Sequence, residues 1–371
     1  KPFYVDLQVD YDWSVAYQNI YIFNTVINGV QDSKGGDQTL KNTVYAEALV
    51  HRAFTYFTLV NLYSKAYNAS TAANDMGVPV LLEAKLFVDL TRPSVQKVYD
   101  QILSDLQTAL PLLPVKQDVN FRPSKAAAYA LLAKTHLFMR HFNEASAFAD
   151  SSLALSSDLN DYKNFVATTP FNFPSQYLDK EVLFRKIPRL TLNTIQLSPS
   201  LLNLLGTADL RYKLFVKSGN NFSPAFTGSG YWPRDKYSGG YPDKVAVGLT
   251  VSETWLIKAE CLARTGKGSD ALTILNNFRK MRFATADYTS LTAASDAEAL
   301  ALVINERRLE FFGSGLRWLD QRRLSLDPQF AQSYTRVFDN VTYKLDPNSN
   351  QYVFPLANLL IAQSPEMQQN P

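Results

Sequence analysis

Cysteine is almost missing from this chain. The one cysteine, Cys261, has no partner within the chain, so no disulfide framework exists. It sits in an apolar helical stretch, where a lone thiol packs as a small hydrophobe. Histidine is scarce as well, with only His51, His136 and His141. No H-E-x-x-H and no Cys/His spacing joins them, which excludes the usual zinc sites. Walker-type, G-x-G-x-x-G and G-x-S-x-G loops are absent too, and with them phosphate cradles, dinucleotide folds and the serine elbow. Charge of one sign is also lacking. Lys and Arg number 37 against 34 Asp and Glu, a net of +3, and no basic run is interleaved with aromatics, so no nucleic-acid partner is expected. No run of about 18 apolar residues occurs, hence no transmembrane helix. The chain opens at Lys1-Pro2-Phe3 without Met or a signal-peptide pattern, the start of a processed chain, so targeting information is expected to have been removed.

What is present favours a large core. Hydrophobic residues make up 46% and charged residues 19%, a balance that argues against disorder. The aromatics are 23 Phe, 20 Tyr and 4 Trp. Tyrosine buries a ring while keeping a polar tip, so this enrichment suits helix packing first and polar ligand surfaces second.

Helical periodicity dominates the first third. Val15, Ile20, Phe23, Val26 and Ile27 recur as one stripe between Trp13 and Val30, with Gly29 and Gly35-Gly36 at the exit. A stronger helix follows from Thr43 to Tyr63, through Tyr45, Leu49, Ala53, Tyr56 and Val60. After the small polar loop from Lys65 to Asp75, Pro93-Ser94 opens a helix that Pro111 and Pro114 close. Ser295 with Glu298 forms a capping-box signature for a helix ending near Gly313, and an amphipathic piece spans Leu316 to Leu324. Near the C-terminus, alternation at 341–344 and 351–354 around Asp346-Pro347-Asn348-Ser349-Asn350 predicts a small β-hairpin.

Two segments resemble each other. Residues 131–145 and 257–271 each run from an Ala- and Leu-rich helix through a short polar turn into a second helix. Ala133 and Ala145 match Ala259 and Ala271, small residues that let helices approach as tetratricopeptide-type hairpins do. The copies are far apart, so the expected fold is mostly α. It is a tetratricopeptide-like hairpin scaffold, about 1–155 and 249–330, interrupted by a large loop-rich insertion at about 156–248. The insertion has no sustained helical period and carries clustered Pro and Gly among aromatics.

The densest charge cluster is Glu306, Arg307, Arg308 and Glu310, with Arg317, Asp320 and Arg323 beyond. Glu306 and Glu310 share a helix face, and a carboxylate pair can cleave glycosides. The surrounding arginines favour a structural ion-pair network instead, because they lower carboxylate pKa values. Asp346, Asn348 and Asn350 begin like a calcium loop, yet the glycine at position six and the acid at position twelve are missing, so a turn is expected. No catalytic residue, metal site or cofactor is assigned.

Taken in order, several segments resemble the SusD/RagB family of outer-membrane nutrient-binding lipoproteins. Arg52-Ala53-Phe54 with Leu59 to Tyr63 is similar to its early helix signature, and Gly77-Val78-Pro79 to the stretch that follows. Val98-Tyr99-Asp100 through Asp105-Leu106 resembles its next helix, Arg122 to Ala133 the one after, and Ser252-Glu253 to Glu260 another. Asn305 to Glu310 with Gly315, Arg317, Trp318, Asp320 and Arg323 is the most specific match, and Gln369-Asn370-Pro371 resembles the family's close. Ser314, Gln321, Ala357 and Ser364 depart from the usual pattern.

The resemblance implies a single helical domain over 1–371 that binds and does not catalyse. It implies a cell-surface lipoprotein on the extracellular face of the outer membrane, held there only by a lipid anchor outside this chain. The implied partners are an oligosaccharide or polysaccharide ligand and a SusC-type TonB-dependent transporter. A peptide-binding or lid subunit of such a transporter is the alternative. Sugar rings stack on aromatic faces, and the insertion offers Tyr231, Trp232, Arg234, Tyr237 and Tyr241. Tyr67 and Asn68, in the loop leaving the first long helix, complete the expected ligand-binding set.

Overall fold

The computed structural model describes residues 3–5, 7–167, 173–187, 196–219, 230–233, 236–237 and 247–371. The chain packs into two compact units, one made of 1–114 with 318–371 and the other of 115–317.

The first unit begins with α1 (Tyr11–Gly29), α2 (Gln38–Tyr63) and α3 (Val95–Ala109), where α2 packs on both of the others. Each helix starts on a side-chain cap that satisfies an otherwise orphaned N–H: Asp10 accepts from Trp13, Asp37 from Leu40, and Ser94 from Lys97. Between α2 and α3 the chain is tied by backbone bonds, including Gly77 N to Pro93 O at 2.7 Å. A Cβ on Gly77 would lie 2.7 Å from that carbonyl and 2.8 Å from Val98 Cγ2, so only glycine fits this crossing.

The second unit holds the two resembling hairpins. α4 (Lys125–Phe138) and α5 (Phe142–Leu155) form the first. The insertion then contributes α6 (Lys163–Val166), β1 (Val182–Phe184), α7 (Pro199–Leu205), α8 (Leu210–Phe215), β2 (Val216–Ser218), β3 (Tyr231–Pro233) and β4 (Leu249–Thr250). β1 pairs with β4 and β2 with β3, both antiparallel. α9 (Val251–Arg264) and α10 (Gly268–Lys280) form the second hairpin, followed by α11 (Asp296–Glu310).

The two hairpins turn in the same way. Thr135 O accepts from Met139 N and His136 O from His141 N; in the second copy Cys261 O accepts from Thr265 N and Leu262 O from Lys267 N. Ala133, Ala145, Ala259 and Ala271 are all fully buried, as the close helix approach requires. α5 also packs directly on α9, and α10 and α11 both pack on α9. Hairpins remote in sequence therefore stand side by side.

The chain returns to the first unit within α12 (Leu316–Leu324), then forms β5 (Tyr334–Phe338), β6 (Val341–Leu345) and α13 (Asn358–Gln363). The hairpin sits one strand earlier than the alternation at 351–354 suggested. β5 pairs with β6 around Asp339-Asn340, both in the left-handed region, as a tight two-residue turn needs. Residues 350–352 form a 3-10 turn capped by Ser349 instead. Among the described residues no helix is long and apolar enough to cross a membrane.

Candidate functional site

The carboxylates of Glu306 and Glu310 on α11 are sealed inside the second unit. Arg211 Nη2 lies 2.6 Å from Glu306 Oε1, and Arg279 Nη1 lies 2.9 Å from Glu306 Oε2. Arg211 and Arg282 both hold Glu310, each at 2.9 Å, while Arg282 also reaches Glu181 at 3.1 Å. Burial alone would raise the Glu310 carboxyl, but Arg282 and Arg211 overcome it and hold it at about 2. A general acid needs the opposite shift and an open cleft; Glu306 is 1% exposed. The pair is an ion network that locks α11 to the insertion and to α10.

The residues expected to bind ligand separate. Tyr67 is buried, its hydroxyl donating to Gln96 Oε1 at 2.6 Å and its ring meeting Tyr99 edge-on. It supports its loop and presents no stacking face. Tyr237 is likewise a core residue. It packs with Tyr162, Phe173, Leu210 and Leu214 and donates to Asp179 Oδ2 at 2.6 Å. Its ring was expected at a ligand surface; the apolar cluster of the insertion claims it because that segment must build its own core. Tyr231 is half-buried against Leu197, Leu201 and Val216. Trp232 pairs its backbone with Lys217 in the β2–β3 ladder. Arg234 and Tyr241 lie outside the described residues.

Asn68 differs from these. It lines a cavity of about 280 Å³ in the first unit, built by three loops. The loop after α2 supplies Lys65, Asn68, Thr71 and Asp75; the end of α12 supplies Arg322 and Ser325; the turn after β6 supplies Asn348 and Asn350. Asn68 Oδ1 is used locally, accepting from Ser70 N and Oγ. Ser325 Oγ stands 3.0 Å from Asn348 Oδ1, joining the α12 end to the turn. Asp75 is occupied by Lys65 at 3.2 Å and by the Thr71 hydroxyl at 2.5 Å. Arg322 is 2% exposed, and burial lowers its guanidinium to about 10. Its Nη2 donates to the Ser64 carbonyl.

A second cavity, about 460 Å³, lies in the other unit over Leu159, Trp255, Ile274 and Phe278. The Trp255 indole N–H is spent on Ser157 O at 3.0 Å, so this cavity is mainly apolar.

Sequence comparison decides the lineage. Residues 4–137 match the SusD-like family described as starch-binding, associating with outer membrane, and residues 246–371 match the SusD family. This chain belongs to the SusD/RagB family. A SusD-like protein of Formosa agariphila is 32% identical over 134 residues, which is 36% of this chain but only 25% of that relative. Another from the same organism is 22% identical over 379 residues, covering 83% of this chain and 71% of its own. In fold, the chain is similar to a SusD superfamily protein of Bacteroides thetaiotaomicron, with TM-score 0.79 and 23% identity over 97% of this chain and 85% of the other. A SusD-like carbohydrate binding protein of Bacteroides vulgatus gives TM-score 0.73 and 21% identity, covering 96% and 83%.

The SusD/RagB signatures of this chain are scaffold. Arg52 grips Asp105 through two bonds of 2.8 and 2.6 Å, fixing α2 to α3. Asn370 donates to Tyr63 O and Phe354 O, which ties the chain end to the end of α2. Glu253 takes Lys134 at 3.0 Å, joining α9 to α4. The cavity residues Lys65, Arg322, Asn348 and Asn350 escaped the sequence reading. The amide-rich run Asn348-Ser349-Asn350 is the available signal, and in sequence it predicts only a turn.

Proposed function

We propose that this SusD/RagB protein is a non-catalytic glycan-binding protein whose first unit holds a sugar in the cavity around Asn68. The observation that carries this reading is the convergence of three asparagines on one cavity, Asn68 from the loop after α2 and Asn348 and Asn350 from the turn after β6. Amides both donate and accept, which suits the mixed hydroxyls of a sugar ring. The family's description as starch-binding and outer-membrane-associated supports the ligand class and the location. The burial of Glu306 and Glu310 among arginines supports capture over hydrolysis.

In this reading a lipid anchor holds the protein on the extracellular face, and the captured oligosaccharide passes to a SusC-type TonB-dependent transporter. Affinity electrophoresis against a polysaccharide panel tests the binding step. Asn68→Ala and Asn350→Ala should each weaken retardation by about 1–3 kcal/mol of binding free energy without altering thermal stability. Full affinity in both variants would remove the cavity from the proposal. Co-purification with a SusC-type transporter tests the partnership.

A further inference from the structure

Four other buried arginines are satisfied by carboxylates or by backbone carbonyls, and Arg322 differs from them. Arg52, Arg211 and Arg282 each hold a carboxylate within 3.0 Å. Arg92, whose guanidinium burial also lowers to about 10, spends Nε, Nη1 and Nη2 on the carbonyls of Gly77, Gln368 and Tyr63. Among the described residues Arg322 has the Ser64 carbonyl as its one hydrogen-bond acceptor: its Nε and Nη1 are buried without one, as is the neighbouring Ser64 Oγ. A buried cation without a counter-charge is costly, and unsatisfied buried donors are rare enough to need a cause.

The uncompensated charge lies at the cavity wall. Lys65 adds a second cation there, and Asp75 is the one acidic residue in the lining, so one positive charge is left over. Asp75 is already engaged by Lys65 and Thr71. Low-dielectric walls strengthen the attraction of such a site for an anion. The volume, about 280 Å³, is at the small end of ligand pockets, which run from about 300 Å³ upward. It suits a single charged sugar unit.

We propose that the cavity selects a sugar unit bearing one negative charge, a uronic acid or a sulfate ester, whose anionic group is held over Arg322 while the asparagines take its hydroxyls. This deepens the glycan-binding reading and rests on it. Charge-assisted hydrogen bonds would then satisfy the donors that the protein leaves open.

Titration calorimetry with matched pairs tests it: trigalacturonate against its carboxyl-reduced form, and a sulfated galactan oligosaccharide against its desulfated form. One charged member is expected to bind at least about tenfold more tightly than its neutral counterpart. Which pair shows the preference distinguishes carboxylate from sulfate. Arg322→Gln should bring that ratio close to one. If the variant does not fold, the ratio in the unaltered protein still decides. Equal affinities within both pairs overturn the anion preference and leave glycan binding standing, as does binding of neutral polysaccharides alone. Binding of no glycan at all overturns both, and capture of peptides through their terminal carboxylate in place of sugars does the same.

Discussion

Arg140 and Gly266 hold the same backbone conformation at the same point of two hairpin turns, with φ of 64° and 78°. In each turn the residue follows the last helical turn and lets the chain reverse, the role that glycine fills best at a helix C-terminus. One copy uses glycine and the other forces an arginine into the left-handed region, at a cost of about 1–2 kcal/mol.

Gly266→Ala isolates that backbone cost. A Cβ there would find only Asp296 Oδ2, at an ordinary 3.7 Å, so no clash adds to it. Urea denaturation should show a loss of about 1 kcal/mol. Unchanged stability would mean the turn relaxes freely. Arg140→Gly should move the other way by a smaller amount, because it also gives up the cation–π contact with Phe142.

Glu310→Gln leaves Arg211 and Arg282 facing each other with less negative charge between them. Breaking a buried pair of this kind costs about 3–5 kcal/mol. The effect should depend on pH. The folded carboxyl binds its proton more weakly than the unfolded one, so the stability it contributes is complete above about pH 4.5 and drains away as pH falls toward 2. Burial raises Glu181 in the same network, which acts in the opposite sense, so the difference between variant and parent is the quantity to follow. A difference that stays constant from pH 7 to pH 3 would contradict the assignment.

Tyr237→Phe separates core from ligand surface. The hydroxyl is one of several donors to Asp179, beside Asn160 Nδ2 at 2.7 Å and Glu181 N at 3.0 Å. Its loss should lower stability by about 1–3 kcal/mol and leave glycan affinity unchanged. Reduced affinity at full stability would return Tyr237 to the binding surface.

Gly77→Ala tests the crossing between α2 and α3. The added methyl meets two backbone carbonyls within 2.9 Å, so the strands at Met76 and Ser94 must part. A melting temperature lowered by several degrees is expected, matching about 1–3 kcal/mol of overpacking. An unaltered melting curve would show that this segment yields easily.

Much of this protein was legible before its coordinates. The stripes of α2 and α3, the caps at Ser94 and Ser295, and the bounds of α12 follow from neighbours a few residues apart, where helix physics is local. The stripe expected in α1 does not hold, since Val15 is exposed and Trp13, Ile20 and Asn24 are the buried residues. Ser295 does cap Glu298 N, although Glu298 returns its bond to Ala294 N rather than to the cap itself. The ion network was also legible, since so many charges on one helix of an apolar chain had to pair. Tertiary structure alone decided the rest. It set α5 against α9 across the whole insertion, a contact no periodicity encodes. It drew Tyr237 into a core, because an aromatic ring is equally at home inside and at a sugar face. It also brought Asn68, Asn348 and Arg322 to one cavity from distant parts of the chain, and left two donors of that guanidinium without an acceptor among the described residues.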